Sequence, residues 1–145
     1  MDPKLFENNY RESLENPESF WGRIASRLDW MSPWNKVMNC HLKSPVKISW
    51  FEGGKLNVSV NCLDRHLEKR GDKIAIIWEP DSPTEPARKI TYRELHTLVG
   101  KAANVLKSQG VRKGDRVTIY LPMIPEAAVA MLACTRIGAI HSVIF

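Results

Sequence analysis

The chain has 145 residues, 43% of them apolar, enough to bury one ordinary globular core. Eight glycines, nine prolines and a mixed-sign 26% of charged residues exclude collagen-like, low-complexity and disordered-tail classes. No apolar run approaches the roughly 18 residues of a membrane span, and Met1–Asn8 lacks the apolar stretch of a secretory leader, so no membrane partner is expected. Three widely spaced cysteines without a C-x-x-C pair fit a reducing, cytoplasmic setting.

Lysine and arginine outnumber acids 21 to 16, for a net charge of +5. Between residues 87 and 116 eight cations meet only two acids. These cations scatter around a helix without a run longer than two, so the segment reads as a solvated face and not as a nucleic-acid surface. No nucleic-acid partner is expected.

Along the chain, residues 1–57 form an aromatic-rich arm. Eight of the twelve aromatic residues fall here, from Phe6 to Phe51, interrupted by Pro17, Pro33, Pro45 and Gly53-Gly54. Large flat side chains without a sustained period suggest an arm that pins itself to another surface and has too little regular structure for its own core. Its best helical stretch is Tyr10–Leu28, where Asn16-Pro17-Glu18 reads as cap, first-turn proline and early acid.

Residues 58–145 read as the first α/β portion of a larger domain. Asn61–Arg70 predicts a helix burying Val58, Cys62, Leu63 and Leu67, with Gly71 as a left-handed cap. Ile74–Trp78 predicts a strand buried on both faces, Pro80–Pro86 a loop, and Lys89-Ile90 a brief pairing. Thr91-Tyr92-Arg93-Glu94 fits a capping box opening a helix that runs to Gly110. A second strand (116–121), a helix rich in small residues (126–137, closed by Gly138) and a third strand (139–145) form a βαβ unit. The fold class is therefore α/β: a partial, mostly parallel sheet with flanking helices, preceded by the irregular and helical arm. Phe145 closes an apolar strand without a polar turn, so the sequence reads as the N-terminal portion of something longer.

Chemistry-bearing motifs are sparse. Phosphate-loop, dinucleotide and nucleophile-elbow patterns are absent. Cys40-His41 lacks further ligands at metal spacing, and no metal site is assigned. His66 and His96 read as partly buried hydrogen bonders on helices, and His141, on the last strand, as a satisfied core histidine. Asp64-Arg65-His66 is triad-like in spelling, but neighbours on a helix point apart, so a capping or ion-pair role fits better. Arg70-Gly71-Asp72 and the sequon Asn57-Val58-Ser59 carry no function. No catalytic residue can be assigned.

Several blocks together nevertheless resemble the N-terminal segment of the AMP-forming acetyl-coenzyme A synthetases, in the adenylate-forming superfamily. Ile90–Leu95, Gly114-Asp115 and Pro125-Glu126 through Ile137-Gly138-Ala139 are superfamily-wide. Phe20-Trp21-Gly22, Leu28-Asp29-Trp30, Asn61–Leu67, Ala75–Glu79 and Met131–Cys134 with His141–Phe145 are closer to the acetyl and propionyl types. The resemblance implies a ligase using acetate, ATP and coenzyme A with Mg2+, through acetyl-adenylate. It also implies that the phosphate loop, nucleotide ligands, acid pocket and catalytic lysine lie beyond this segment. This chain alone is then expected to be inactive and to bind none of these cofactors. Phe145 is similar to the family's wall for the coenzyme A adenine. A propionyl- or acetoacetyl-type parent and a stand-alone interaction module remain the alternatives, and the oligomeric state is open.

Overall fold

Asn16 divides two opening helices, α1 (Pro3–Glu15) and α2 (Pro17–Ala25), because Pro17 has no amide hydrogen to continue a helical ladder but suits the first position of a new one. The computed structural model describes residues 2–144. It divides into two compact units, Met1–Leu56 and Asn57–Phe145.

In the first unit, β1 (Lys36–His41) and β2 (Lys47–Glu52) form an antiparallel hairpin that the sequence reading did not anticipate. As expected, the arm has little buried core, with only Phe20 and Ala25 buried among its described residues, but its rings gather on one another. Trp30 lies 4.9 Å from Trp34 and 5.6 Å from Phe51, while Trp21 meets Phe20 at 5.0 Å and Trp50 at 6.4 Å. Chain reversal at the hairpin gathers aromatic residues that have no common spacing along the sequence. Phe51 adopts a φ of 51°, a strained left-handed conformation for a bulky residue, within this cluster of rings. The Trp30 indole Nε1 donates to the Ala25 carbonyl at 2.8 Å, tying the cluster to the end of α2.

The second unit begins with a broken helix instead of the continuous Asn61–Arg70 helix expected. It consists of α3 (Val58–Cys62), a single 3-10 turn at Asp64–His66 and α4 (Leu67–Arg70). Leu63, with a φ of −122°, interrupts the helical path and turns its side chain inward, whereas Val58 and Cys62 remain exposed. Gly71 is not left-handed, since its φ is −53°. Close packing explains the glycine: a Cβ there would stand 2.5 Å from the Leu67 carbonyl and 2.6 Å from Arg93 Nη2.

Strand β3 (Ile74–Trp78) pairs with β4 (Arg88–Thr91), but the pairing is antiparallel and leaves Ile74 and Ile77 exposed, so the strand is not buried on both faces. The proline-rich loop between them reverses the chain directly, with no crossover helix to make the pair parallel. Helix α5 (Tyr92–Ser108) starts at the anticipated capping box: Thr91 Oγ1 accepts from the Glu94 amide, and Glu94 Oε2 accepts from the Thr91 amide at 2.8 Å. These hydrogen bonds hold the Glu94 carboxyl below its ordinary range, the Thr91 amide contributing most. Thr91→Ala is expected to cost about 1 kcal/mol, read as a lower midpoint in urea unfolding.

Strands β5 (Arg116–Tyr120) and β6 (Ile140–Ile144) form the parallel pair, joined through α6 (Pro125–Ile137) as the βαβ pattern anticipates. The α/β class holds, but the expected mostly parallel sheet is corrected: among the described residues there are three separate two-stranded pairs, of which one is parallel, because the two other pairs are joined by direct chain reversals. Gly138 ends α6 at a φ of 78°, where a side chain would be strained. The core lies between α5 and α6: Val99 and Ala133 are fully buried, and Leu63, Ile90 and Leu95 close over them. Alanine on α6 lets the two helices approach closely.

Candidate functional site at the carboxyl end of the parallel strands

Parallel α/β sheets bind ligands in the crevice beyond the carboxyl ends of their strands. In this chain that position is set by the register Arg116↔Ile140 through Tyr120↔Ile144, which brings the ends of β5 and β6 side by side. The loop after β5 runs through Pro122 into α6, where Pro125 occupies the first turn. From the neighbouring hairpin, Trp78 Nε1 donates to the Met123 carbonyl at 2.9 Å and fixes that loop. Arg88 lies 5.7 Å from the centre of the Trp78 ring and pairs with Glu126 at 3.1 Å. Two hollows open here, one of about 430 Å³ between Trp78 and Met123 and one of about 530 Å³ along Tyr120–Met123. Tyr120 and Met123 are 76% and 79% exposed, so the surface is an open apolar wall. Such a wall can position a ring or a chain of a ligand. Arg88, the cation beside it, is already held by the Glu126 carboxylate. Phe145, the candidate adenine wall, directly follows β6 and lies outside the described residues.

The other chemistry-bearing residues resolve into structural roles. Asp64 does not pair with its neighbour His66, whose ring instead meets Tyr92 at 5.7 Å. Asp64 accepts from Arg136 Nη2 at 2.6 Å and Nη1 at 3.2 Å, and from His96 Nε2 at 3.3 Å. The ion-pair reading of Asp64 and the hydrogen-bonding reading of His96 hold. Arg136 was missed, because nothing in the sequence links positions 72 residues apart. Burial pushes the Asp64 carboxyl up, but hydrogen bonding to Arg136, its positive charge and His96 together outweigh this and leave it below its ordinary value. A carboxylate clamped in this way is a poor proton acceptor.

Asn57 donates to the Thr135 and Arg136 carbonyls at 3.2 and 3.0 Å while capping α3, and Ser59 is fully buried, so the sequon is consumed by packing. Asp72 accepts from Arg93 Nε at 3.1 Å. Cys134 is buried, and desolvation raises its thiol pKa, which keeps it protonated and unreactive. Cys40 donates weakly to the Ser49 carbonyl at 3.5 Å. Among the described residues no group of three or more His, Cys, Asp or Glu could hold a metal ion, and no helix is long and apolar enough to cross a membrane.

Comparison with known proteins places this geometry. The profile of the AMP-binding enzymes matches residues 63–145, more than half of the chain. The chain belongs to the AMP-binding enzyme family. The preceding residues, 6–62, match the profile described as the acetyl-coenzyme A synthetase N-terminus. An acetyl-coenzyme A synthetase of Bdellovibrio bacteriovorus is 57% identical across the whole chain, which covers 22% of that protein. One of Rhodobacter capsulatus is 64% identical over 94% of the chain and 21% of its own length. In structure, the acetoacetyl-CoA synthetase of Streptomyces lividans superposes with a TM-score of 0.82 at 30% identity, over 92% of this chain and 20% of that one. The chain thus spans about a fifth of the length of these AMP-binding relatives.

Proposed function

We propose that this chain serves as the N-terminal scaffold of a ligase that activates acetate with ATP to acetyl-AMP and transfers the acetyl group to coenzyme A. The observation that carries this reading is the tiling of the chain by two matches in sequence order. The match described as the acetyl-coenzyme A synthetase N-terminus occupies 6–62, and the AMP-binding enzyme match continues from 63. The role of these residues is architectural. The core between α5 and α6 and the indole bond to Met123 hold the carboxyl ends of β5 and β6 in place. Ligand-binding loops supplied by the remainder of such an enzyme would be mounted there. Phe145, the residue that follows β6 in the sequence, would offer a face to the adenine of coenzyme A. Magnesium would accompany ATP, but the described residues offer no cluster to seat it, so no step involving it is assigned to this chain. Cytoplasmic residence follows from the same reading. The Streptomyces lividans relative favours acetoacetate as the alternative acid.

A chimera tests the proposal. This chain replaces the corresponding N-terminal fifth of the Bdellovibrio bacteriovorus acetyl-coenzyme A synthetase, and acetate-dependent pyrophosphate release is followed with hydroxylamine as trap. The chimera is expected to retain turnover within about tenfold of its parent, while the 145-residue chain alone releases none. A folded but inactive chimera, or acetate-dependent turnover by the chain alone, would overturn the reading.

A further inference from the structure

A further hollow lies at the opposite, amino-terminal end of the parallel pair, where the last turns of α5 and α6 meet the turn before β5. Its volume is about 510 Å³, within the range of small-ligand sites. Ala103, Val111 and Ile137 form an apolar floor, and Lys107, Arg112, Lys113 and Arg136 stand around it without a single lining carboxylate. Cations near helix C-termini compensate the helix dipoles, which accounts for Lys107 and Arg136, each in a last turn. It does not account for Arg112 and Lys113, which follow α5 in the connecting turn. Among the described residues, the side chains of Lys107, Arg112 and Lys113 have no partner, in contrast to Arg88 and Arg93, which are each paired with an acid.

Two further details shape this hollow. Lys113 lays its stem over Gly138, where a Cβ would meet Lys113 Cγ at 2.9 Å, so the left-handed cap also seats the lysine. Arg136 commits both terminal nitrogens to Asp64, yet its Nε is buried without a partner. Gly100 also lines the hollow. Glycine is costly in the middle of a helix, and packing does not demand it here, because no atom lies within 4 Å of where its Cβ would stand. What its missing side chain preserves is open space.

We propose that this cleft binds an organic phosphate, its phosphoryl group held by Lys107, Arg112 and Lys113 and its apolar body resting on the floor. The site is separate from the carboxyl-end wall, and the inference does not rest on the acetate-ligase reading. Charge-assisted bonds from several cations recognise phosphate, and the floor distinguishes an organic phosphate from the inorganic ion.

Phenyl phosphate and inorganic phosphate serve as probes, titrated at low salt into the protein with amide NMR shifts followed. Shifts are expected at Lys107, Arg112 and Lys113, with phenyl phosphate binding more tightly by about tenfold. Lys107→Gln/Lys113→Gln, which keeps the stems, is expected to weaken both by at least about tenfold, whereas the charge-matched Lys69→Gln/Lys89→Gln leaves them unchanged. Gly100→Leu, filling the open space with a good helix former, is expected to abolish the preference for phenyl phosphate without loss of thermal stability. Binding that is equal in both double variants, that shifts residues elsewhere, or that is absent at millimolar ligand overturns the proposal. Retention of a polyglutamate peptide with no phosphate binding would do so as well, marking an acidic protein surface as the ligand.

Discussion

Leu63→Ala is expected to be the most damaging single truncation in the second unit, lowering its stability by about 2–5 kcal/mol. Leu63 is only 1% exposed and sits at the break between α3 and the following 3-10 turn, not on a helix face. It packs with Val99 and Ala133, so its side chain is what joins the broken helix to the α5–α6 core. The backbone at Leu63 is fixed by the bond from its amide to the Ser59 carbonyl at 2.9 Å, so it cannot shift to fill the space. A cavity there stays largely open. Leu63→Met, which nearly conserves volume, is expected to cost less than about 1.5 kcal/mol. Urea unfolding monitored at Trp78 separates the two. A Leu63→Ala loss below that of Leu63→Met would show that the broken helix is not anchored through this residue.

Legibility differed by the range of the interaction that decides each feature. The capping box at Thr91, the helix start at Pro17 with its early acid Glu18, and the glycine closing α6 were readable because each is decided within four residues by hydrogen bonding or a backbone angle, although the Asn16 side chain makes no capping bond. The βαβ unit was readable because its periods switch cleanly. The hairpin at Lys36–Glu52 was not, since its strands carry no clean alternation and owe their place to ring packing between residues far apart. Ile74–Trp78 looks like an interior parallel strand because a continuous apolar run does not encode direction, and only the loop after it decides the pairing. Gly71 shows the same ambiguity from the other side. Positive φ and close approach both select glycine, and only the folded surroundings, the Leu67 carbonyl and Arg93, separate them.

The candidate site was still less legible. Its wall is built from Trp78 and Met123, 45 residues apart, and the indole bond joining them has no signature in spacing. The cationic cleft illustrates the opposite error. The basic stretch from Arg88 to Arg116 reads as one solvated face, yet folding divides it. Arg88 and Arg93 find acids, while Lys107, Arg112 and Lys113 converge with Arg136 from another helix. A linear count of charge is blind to that division, because partners are assigned by tertiary contacts.

The Asp64–Arg136–His96 knot carries the second large effect, and its sign with pH follows from its geometry. The folded Asp64 carboxyl is held below its ordinary value of 3.8, so the ionised form is bound more favourably in the folded state than in the unfolded one. Its contribution is fully present above the unfolded value and is lost as pH falls through the folded value. Between neutral pH and about pH 5 the stability from this group is therefore flat, and it falls only below about pH 4. Arg136→Met is expected to cost about 2–4 kcal/mol at neutral pH, because it leaves a half-buried carboxylate with His96 alone. Asp64→Asn keeps the shape and one acceptor for the guanidinium, so it is expected to cost about 1–3 kcal/mol. It should also flatten the acid limb of the stability curve. Combining the two substitutions should cost less than their sum, since each removes the same bidentate contact. Urea midpoints of the four proteins from pH 3 to 7 test this: an acid limb in Asp64→Asn as steep as in the parent, or strict additivity, would show that the knot does not couple the start of the 3-10 turn to the end of α6.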